Sequence, residues 1–419
     1  MKKNINTYLK YYFSTLFFFS VIFLYQKHTV GNDSTISEWL INYAGGFTKR
    51  GLIGQLCIYL ADYFNINLRD SILIIQILIL TLYFTTLYFF LRYIEIKNIL
   101  LLAIFTPVFI LYPIAEIEVL ARKEVFIFCI YLFYLFLKKN IHKLYYKLFF
   151  LPLAVLIWEP VLFFFSFFFI IDLIEIKTKK LKIELIKIIS SFIPATILAF
   201  YIALNPLDSD SHRIMSSYLL VNFNETCYMS CNFLISKSSI YEQFSGNFDT
   251  YSFTVFLRYT LIILVGFGPL LFLAFNSNLK NTQIIFLKKF NSVLSLILIC
   301  LTPVIFLFLM GSDWGRWVNI SYVFSILFYL YLFKTNQIIL NLDIYNYKIF
   351  RFLDNKKLFI LIVMIFCFGW NPKTAMTGDI ATNPFWKIPY NASKILFGFN
   401  SFRIMQDAPI SKWHKKYIE

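Results

Sequence analysis

Long apolar runs, broken only by short polar stretches, recur along almost the whole chain, and a water-soluble fold could not bury them all. Charged residues make up 15% of the 419 residues and hydrophobic ones 59%, where a soluble protein carries roughly a quarter charged residues. Several runs approach the ~20 apolar residues needed to cross the hydrocarbon core. A helix satisfies every backbone N–H and C=O within its own segment, as the bilayer core demands, and continuous apolar runs of this length read as helices. The expected fold is all-α: a polytopic helical membrane protein with about 11 transmembrane helices. Spans fall near 8–26, 69–92, 98–113, 124–138, 148–158, 160–174, 186–204, 252–275, 291–310, 317–333 and 357–370. No internal repeat or soluble linker interrupts them, so 1–419 reads as one transmembrane domain.

Lys2, Lys3 and Lys10 stand at the start of the first span, which puts the N-terminus inside. No small-residue cleavage site follows that span, so it reads as an anchor and not a signal peptide. Threaded from there, the whole net charge of +16 falls on the inner segments and the outer segments balance to zero. That is the positive-inside pattern of a membrane protein, and it argues against nucleic acid as a partner. Arginine is sorted more sharply than lysine: Arg92 and Arg351 are inner, and the others are outer.

The stretch 148–174 has lysines at both ends and Trp158-Glu159-Pro160 near its middle. Proline disfavours helix for the residue before it, so two short helices with Glu159 at the tip are expected. The outer loops are then 27–68, with a juxtamembrane amphipathic helix over 51–64, a polar loop over 205–251, and a tail over 371–419 lying along the outer surface. Cys57, Cys129, Cys300 and Cys367 stand singly in apolar segments, as small hydrophobes do. Cys227 and Cys231 share the polar loop. An outer location allows a disulfide between them, and their spacing equally suits half of a metal site, although no His/Cys pair accompanies them in sequence.

The acidic and arginine-rich interruptions all fall on the outer side, and these are the residues that bear chemistry. Asp33 and Glu38 lie just past the first span, where a carboxylate could deprotonate a hydroxyl while a glycosyl bond breaks. Asp33 or Ser34 could equally cap a short helix. Gly45, Gly46, Lys49 and Arg50 follow: paired glycines admit close backbone approach, and the two cations suit a phosphate. Glu116 and Glu118 are two apart, which in extended backbone points both the same way. As hard oxygen ligands they suit Mg or Mn, and no other cofactor is indicated. Arg122, Lys123 and Glu124 come next, and mutual ion pairing is the alternative role for this group. Asp313, Trp314 and Arg316 occupy a very short loop; Arg suits phosphate, indole a sugar face and Asp a hydroxyl. Asp208, Asp210, His212 and Arg213 lie in the polar loop, and Arg258 near the outer end of a span.

With this layout the chain resembles the GT-C-type integral membrane glycosyltransferases. Residues 1–275 carry the resemblance: a long first outer loop with acids and a juxtamembrane helix, the Glu116/Glu118 pair in the second outer loop, and a larger outer loop after the seventh span. Residues 276–370 add spans. The resemblance implies a polyprenyl-phosphate-linked sugar donor, a glycan acceptor and membrane lipids as partners. It implies Asp33 as catalytic base with Glu38 as substitute, Glu116 and Glu118 as metal or acceptor ligands, and work at the periplasmic face of a bacterial inner membrane in surface-glycan assembly. Gly45, Gly46, Lys49, Arg50, Arg122, Lys123, Glu159, Arg213, Asp313, Trp314 and Arg316 are the expected substrate contacts. The alternative is an O-antigen polymerase, which would hold an undecaprenyl-pyrophosphate glycan with Arg50, Arg122, Arg213 and Arg316. A transporter or flippase would need ionisable residues in mid-span and repeat symmetry, and the sequence displays neither.

Overall fold

The computed structural model describes residues 2–30, 34–92, 94, 98–176, 181–236, 240–248, 250–280, 284–341, 355–376, 384, 387–389 and 392. Among them the chain is all-α apart from one antiparallel ribbon, which pairs Ser277–Leu279 with Ile338–Leu340. Among the described residues six helices are long and apolar enough to cross a membrane: Asn6–Thr29, Leu68–Leu91, Leu181–Leu204, Phe253–Phe275, Val293–Met310 and Trp314–Lys334. The protein is therefore a multi-pass helical membrane protein, and the expected eleven full spans reduce to six by this measure.

The other five expected spans are helical: four are short or broken, and 148–158 belongs to the 18-residue helix Asn140–Ile157, which carries Lys143 and Lys147. Helices Glu124–Phe136 and Lys356–Phe368 have 13 residues each, about 20 Å at 1.5 Å per residue, against a core of about 30 Å. Span 98–113 stops as a helix at Phe105, just before Pro107, which has no N–H to continue the ladder. The carbonyls freed there are satisfied from elsewhere: Asn319 Nδ2 donates to Val108 O and Phe109 O at 2.8 and 2.9 Å. Asn319 belongs to Trp314–Lys334, whose apolar stretch is 89% buried against 28% for Leu181–Leu204. The first is the hub of the bundle and the second turns most of its side chains outward.

Span 148–174 is a hairpin. Helix Asn140–Ile157 ends at an extended Trp158, a 3-10 turn covers Glu159–Phe164, and helix Phe165–Glu175 returns. Lys143 Nζ meets Glu175 Oε1 at 2.6 Å, and Lys147 pairs with Asp172, so the two ends farthest from Glu159 lie side by side. Tyr134 donates to Asp172 and Tyr331 to Glu175, which completes this buried network.

Helix Gly51–Phe64 forms as expected. It buries Ile53, Gly54, Cys57, Ile58 and Ala61 and exposes Leu56, Tyr59, Tyr63 and Phe64. Gly54 packs so closely that a Cβ would lie 1.9 Å from Ile41 O. The described part of the tail packs on the end of the bundle that holds the short 311–313 loop. Gly315 N donates to Thr374 O at 3.0 Å and Met376 N to Ser312 O at 2.9 Å. Arg258 is buried here as well, and its Nη1 donates to Met376 O at 3.3 Å.

Candidate functional site

Four separate chain segments deliver their charged side chains to one place. Glu38, wholly buried just past the turn Ser34–Ser37, accepts from Arg122 Nη2 at 2.9 Å and Nε at 3.2 Å, from Arg50 Nη1 at 3.1 Å and from Arg316 Nη2 at 3.2 Å. Arg50 grips Glu159 with Nε and Nη2, both at 2.8 Å. Arg316 grips Glu124 in the same forked way at 2.8 and 2.7 Å. Asp313 closes the ring at 3.6 Å from Arg122 and 3.5 Å from Arg316. Lys123, also fully buried, donates to Arg50 O at 2.5 Å. Arg50, Arg122, Arg316 and Lys123 thus face Glu38, Glu124, Glu159 and Asp313, four cations against four carboxylates.

Each pairing has a local cause. Glu159 is at the hairpin tip because Pro160 ends the helix before it. Arg316 enters on the first turn of the hub helix. Arg50 and Ala121 take up left-handed backbone, φ 63° and 51°, and so does Met229 at 43°. The other non-glycine residues with positive φ among those described are asparagines, which tolerate that region. All three unusual positions adjoin the cluster: Arg50 belongs to it, Ala121 precedes Arg122, and Met229 precedes Ser230, whose Oγ accepts from Arg122 Nη2 at 3.5 Å. Such strain costs of order 1–3 kcal/mol per residue and persists only where the surrounding structure over-determines the backbone. Gln76 helps to hold the strained segment, donating to Thr35 O at 2.9 Å and Ala121 O at 3.3 Å.

The electrostatics follow from the geometry. Burial alone would raise the Glu38 carboxyl; Arg122, Arg316 and Arg50 overrule it and hold it well below the ordinary carboxylate range. The Glu159 carboxyl, raised by burial, is likewise brought below its ordinary value by Arg50. Burial pushes the Lys123 ammonium down to about 8, with Glu38 pulling the other way. The edge of the cluster is less enclosed: the side chains of Arg50, Glu159 and Asp313 are 20%, 22% and 32% exposed. Lys49 stands beside this edge, where burial lowers its ammonium and Glu159 opposes the shift. Among the described residues, the buried donors Thr48 Oγ1, Trp158 Nε1 and Trp317 Nε1 have no hydrogen-bond partner. The two indoles lie 6.2 Å apart, and the Arg316 guanidinium sits over the Trp317 ring at 5.2 Å. A cavity of about 20 Å³ abuts Glu124, room for about one water.

The remaining expected site residues lie elsewhere. Asp33 is outside the described residues. Residues 117–119 form a 3-10 turn, so the extended backbone expected for the acid pair is not adopted. Glu116 is buried and pairs with Lys387 and, at 3.8 Å, with Lys373, while Glu118 is exposed. Gly45 does allow a close backbone approach, but to protein: a Cβ there would lie 1.8 Å from Ser211 O. Gly46 has φ 118° and open space around it. Trp314 packs among Tyr251, Phe256, Tyr259 and Phe308 and donates to Phe308 O at 2.8 Å. Arg213 stays at the surface, 79% exposed, beside Asp210 at 3.4 Å. Glu124, Ser230 and Gln76 were not expected in the site. Glu124 follows Arg122 and Lys123 directly and had the signal of its neighbours, whereas the other two had none.

Cys227 and Cys231 form a disulfide, and His212 Nε2 lies 3.2 Å from Cys227 Sγ. This contact brings to the pair a histidine that the linear spacing did not associate with it. No protein-family model, no curated protein and no solved structure matches the chain. What the architecture establishes by itself is a multi-pass helical membrane protein with a buried ring of opposed charges among its interhelical loops.

Proposed function

We propose that the chain is a membrane glycosyltransferase that takes a polyprenyl-phosphate-linked sugar and works at the periplasmic face in surface-glycan assembly. The observation that carries this reading is the meeting of Arg50, Arg122, Arg316, Glu38, Glu159 and Asp313 from four segments in one cluster. A structural staple needs one or two ion pairs; a site for a phosphate leaving group and an acceptor hydroxyl needs several guanidiniums and a carboxylate held in fixed geometry. The donor phosphate enters at the exposed edge, where Arg50 exchanges Glu159 for phosphate oxygens and Lys49 adds charge. Glu38 is held ionised too firmly to accept a proton near neutral pH, so its role is to hold the three guanidiniums. Asp313, the most exposed carboxylate of the ring and only loosely paired, meets the acceptor hydroxyl, and Asp33 is the other carboxylate available for that step. The unpartnered Trp158, Trp317 and Thr48 donors suit sugar hydroxyls.

The polymerase reading stands second. It is favoured by one observation: three of the four arginines it requires, Arg50, Arg122 and Arg316, converge on a single carboxylate. Membranes carrying the chain, supplied in parallel with a radiolabelled polyprenyl-phosphate sugar and a polyprenyl-pyrophosphate oligosaccharide, separate the two. Transfer from the first, reduced at least about a hundredfold in Arg50→Ala and Asp313→Asn, supports the transferase. Chain extension from the second alone replaces it with the polymerase. Turnover of neither donor, or full activity in both variants, sinks this site.

A further inference from the structure

Outside the charge ring, His212, Cys227 and Cys231 bring one imidazole nitrogen and two sulfurs within 4.8 Å of one another. His212 comes from helix Ser209–Phe223 and the sulfurs from the turn that follows it. His212 and Cys231 are buried and Cys227 reaches the surface. The turn is held without reference to the disulfide: Cys231 N donates to Tyr228 O at 3.1 Å and Phe233 N to Met229 O at 2.9 Å. A disulfide closing so short a ring removes less unfolded-state entropy than one closing a longer loop. Once reduced, the same residues offer two thiolates and an imidazole, the donor set of Zn(II) and other soft or borderline cations.

We infer that His212, Cys227 and Cys231 form a redox-gated metal site: closed as the disulfide, and competent for Zn(II) as the dithiol, with the fourth position left to water. The opening step is thiol–disulfide exchange. A reducing dithiol attacks the accessible Cys227 sulfur, Cys231 leaves as thiolate, and the second reductant thiol resolves the mixed disulfide. Two electrons pass to the protein, the reductant becomes a disulfide, and zinc displaces the protons of both cysteines. In an oxidising compartment the disulfide is the resting form, so metal occupancy reports reduction. The turn also touches the charge ring, since Ser230 N donates to Ser37 Oγ at 3.4 Å and Ser230 Oγ accepts from Arg122.

Cobalt(II) is the probe, because thiolate ligation gives a charge-transfer band that oxygen or nitrogen ligation lacks. The full chain in detergent, reduced with a phosphine that is then removed, is expected to bind one cobalt with that band and to release it to zinc, while the oxidised chain shows none. Cys57, Cys129, Cys300 and Cys367 are buried and separate, and the Cys227→Ser/Cys231→Ser variant retains them as the internal control. His212→Ala should weaken binding at least roughly tenfold, since even outer-shell losses cost that much. No band in the reduced chain, or the same band in the double serine variant, overturns the site. Equal binding by the oxidised chain overturns the gating, and unchanged affinity in His212→Ala removes the imidazole. Alkylating the reduced wild-type chain should abolish binding and repeats the test without a substitution.

Discussion

Neutralising one member of a buried, balanced charge network leaves its partners uncompensated, which typically costs 3–5 kcal/mol. Glu38→Gln leaves three guanidiniums without their common negative charge, so stability in detergent should fall by that order, whereas Asp313→Asn, at the partly exposed edge, should lose turnover with little loss of stability. Equal destabilisation by the two would contradict the division of roles proposed for them. Arg316→Lys should behave like a deletion, because a single ammonium cannot grip Glu124 in a fork and reach Glu38 as well. The pH dependence can be given a sign. The Glu38 carboxyl is depressed in the folded state, so its stabilisation is present above the unfolded value of about 4.3 and is lost as pH falls through the folded one. Lys123 is also depressed, to about 8 from 10.5, but it is a base. The folded state therefore binds fewer protons than the unfolded state between these values, and stability rises with pH across that window by about 3 kcal/mol. Unfolding followed from pH 8 to 10.5 should display this rise in the wild type and lack it in Lys123→Met.

At the level of elements, glycine contacts act as the joints. Gly315→Ala would put a Cβ 1.9 Å from Lys373 O, prising the tail segment away from the start of the hub helix and releasing the turn that carries Asp313. Faster limited proteolysis in the 371–376 segment, with the bundle intact by circular dichroism, is the expected outcome. Unchanged protection would show that this contact does not hold the tail. Gly45 does the same for the first outer loop against helix Ser209–Phe223. The hairpin is clamped at its open end by Lys143–Glu175 and Lys147–Asp172, and Asp172→Asn should destabilise it more than an exposed change such as Arg213→Ala.

For the molecule as a whole, charge defines two ends. The Arg50–Glu159–Arg316 ring lies at the hairpin tip, and the Lys143–Lys147 network lies at the hairpin's open end. The positive-inside rule predicts that the lysine-rich end is the cytoplasmic one. Cysteines introduced at Asp210, 80% exposed, and at exposed Lys280 should react with a membrane-impermeant reagent from opposite sides: Asp210→Cys in intact cells, Lys280→Cys only after permeabilisation. Labelling of both from one side would invalidate the threading on which the outer-face site rests. Among the described residues six helices are long and apolar enough to cross a membrane, and the short and broken ones bring Arg122, Glu124 and Glu159 into the charge ring.

How much of this was legible in advance depended on the range of the force concerned. Apolar runs, flanking lysines and the Trp158-Glu159-Pro160 break are local signals governed by solvation and backbone sterics, and they were enough for a multi-pass helical bundle, the juxtamembrane helix 51–64 and the 148–174 hairpin. The same signals do not separate a full span from a short or broken one, because a hydrophobic run can satisfy its backbone against another helix, as Val108 and Phe109 do against Asn319. Residue type and side of the membrane were also enough to nominate Arg50, Arg122, Glu159, Asp313 and Arg316. Which carboxylate each guanidinium holds, that Glu116 pairs with lysines of the tail, that Glu38 is sealed while Asp313 is not, and that His212 joins the two cysteines were decided only by tertiary structure. Those contacts join residues up to 278 positions apart, and short-range charge and hydrogen-bond energies select among them only after packing has set the distances.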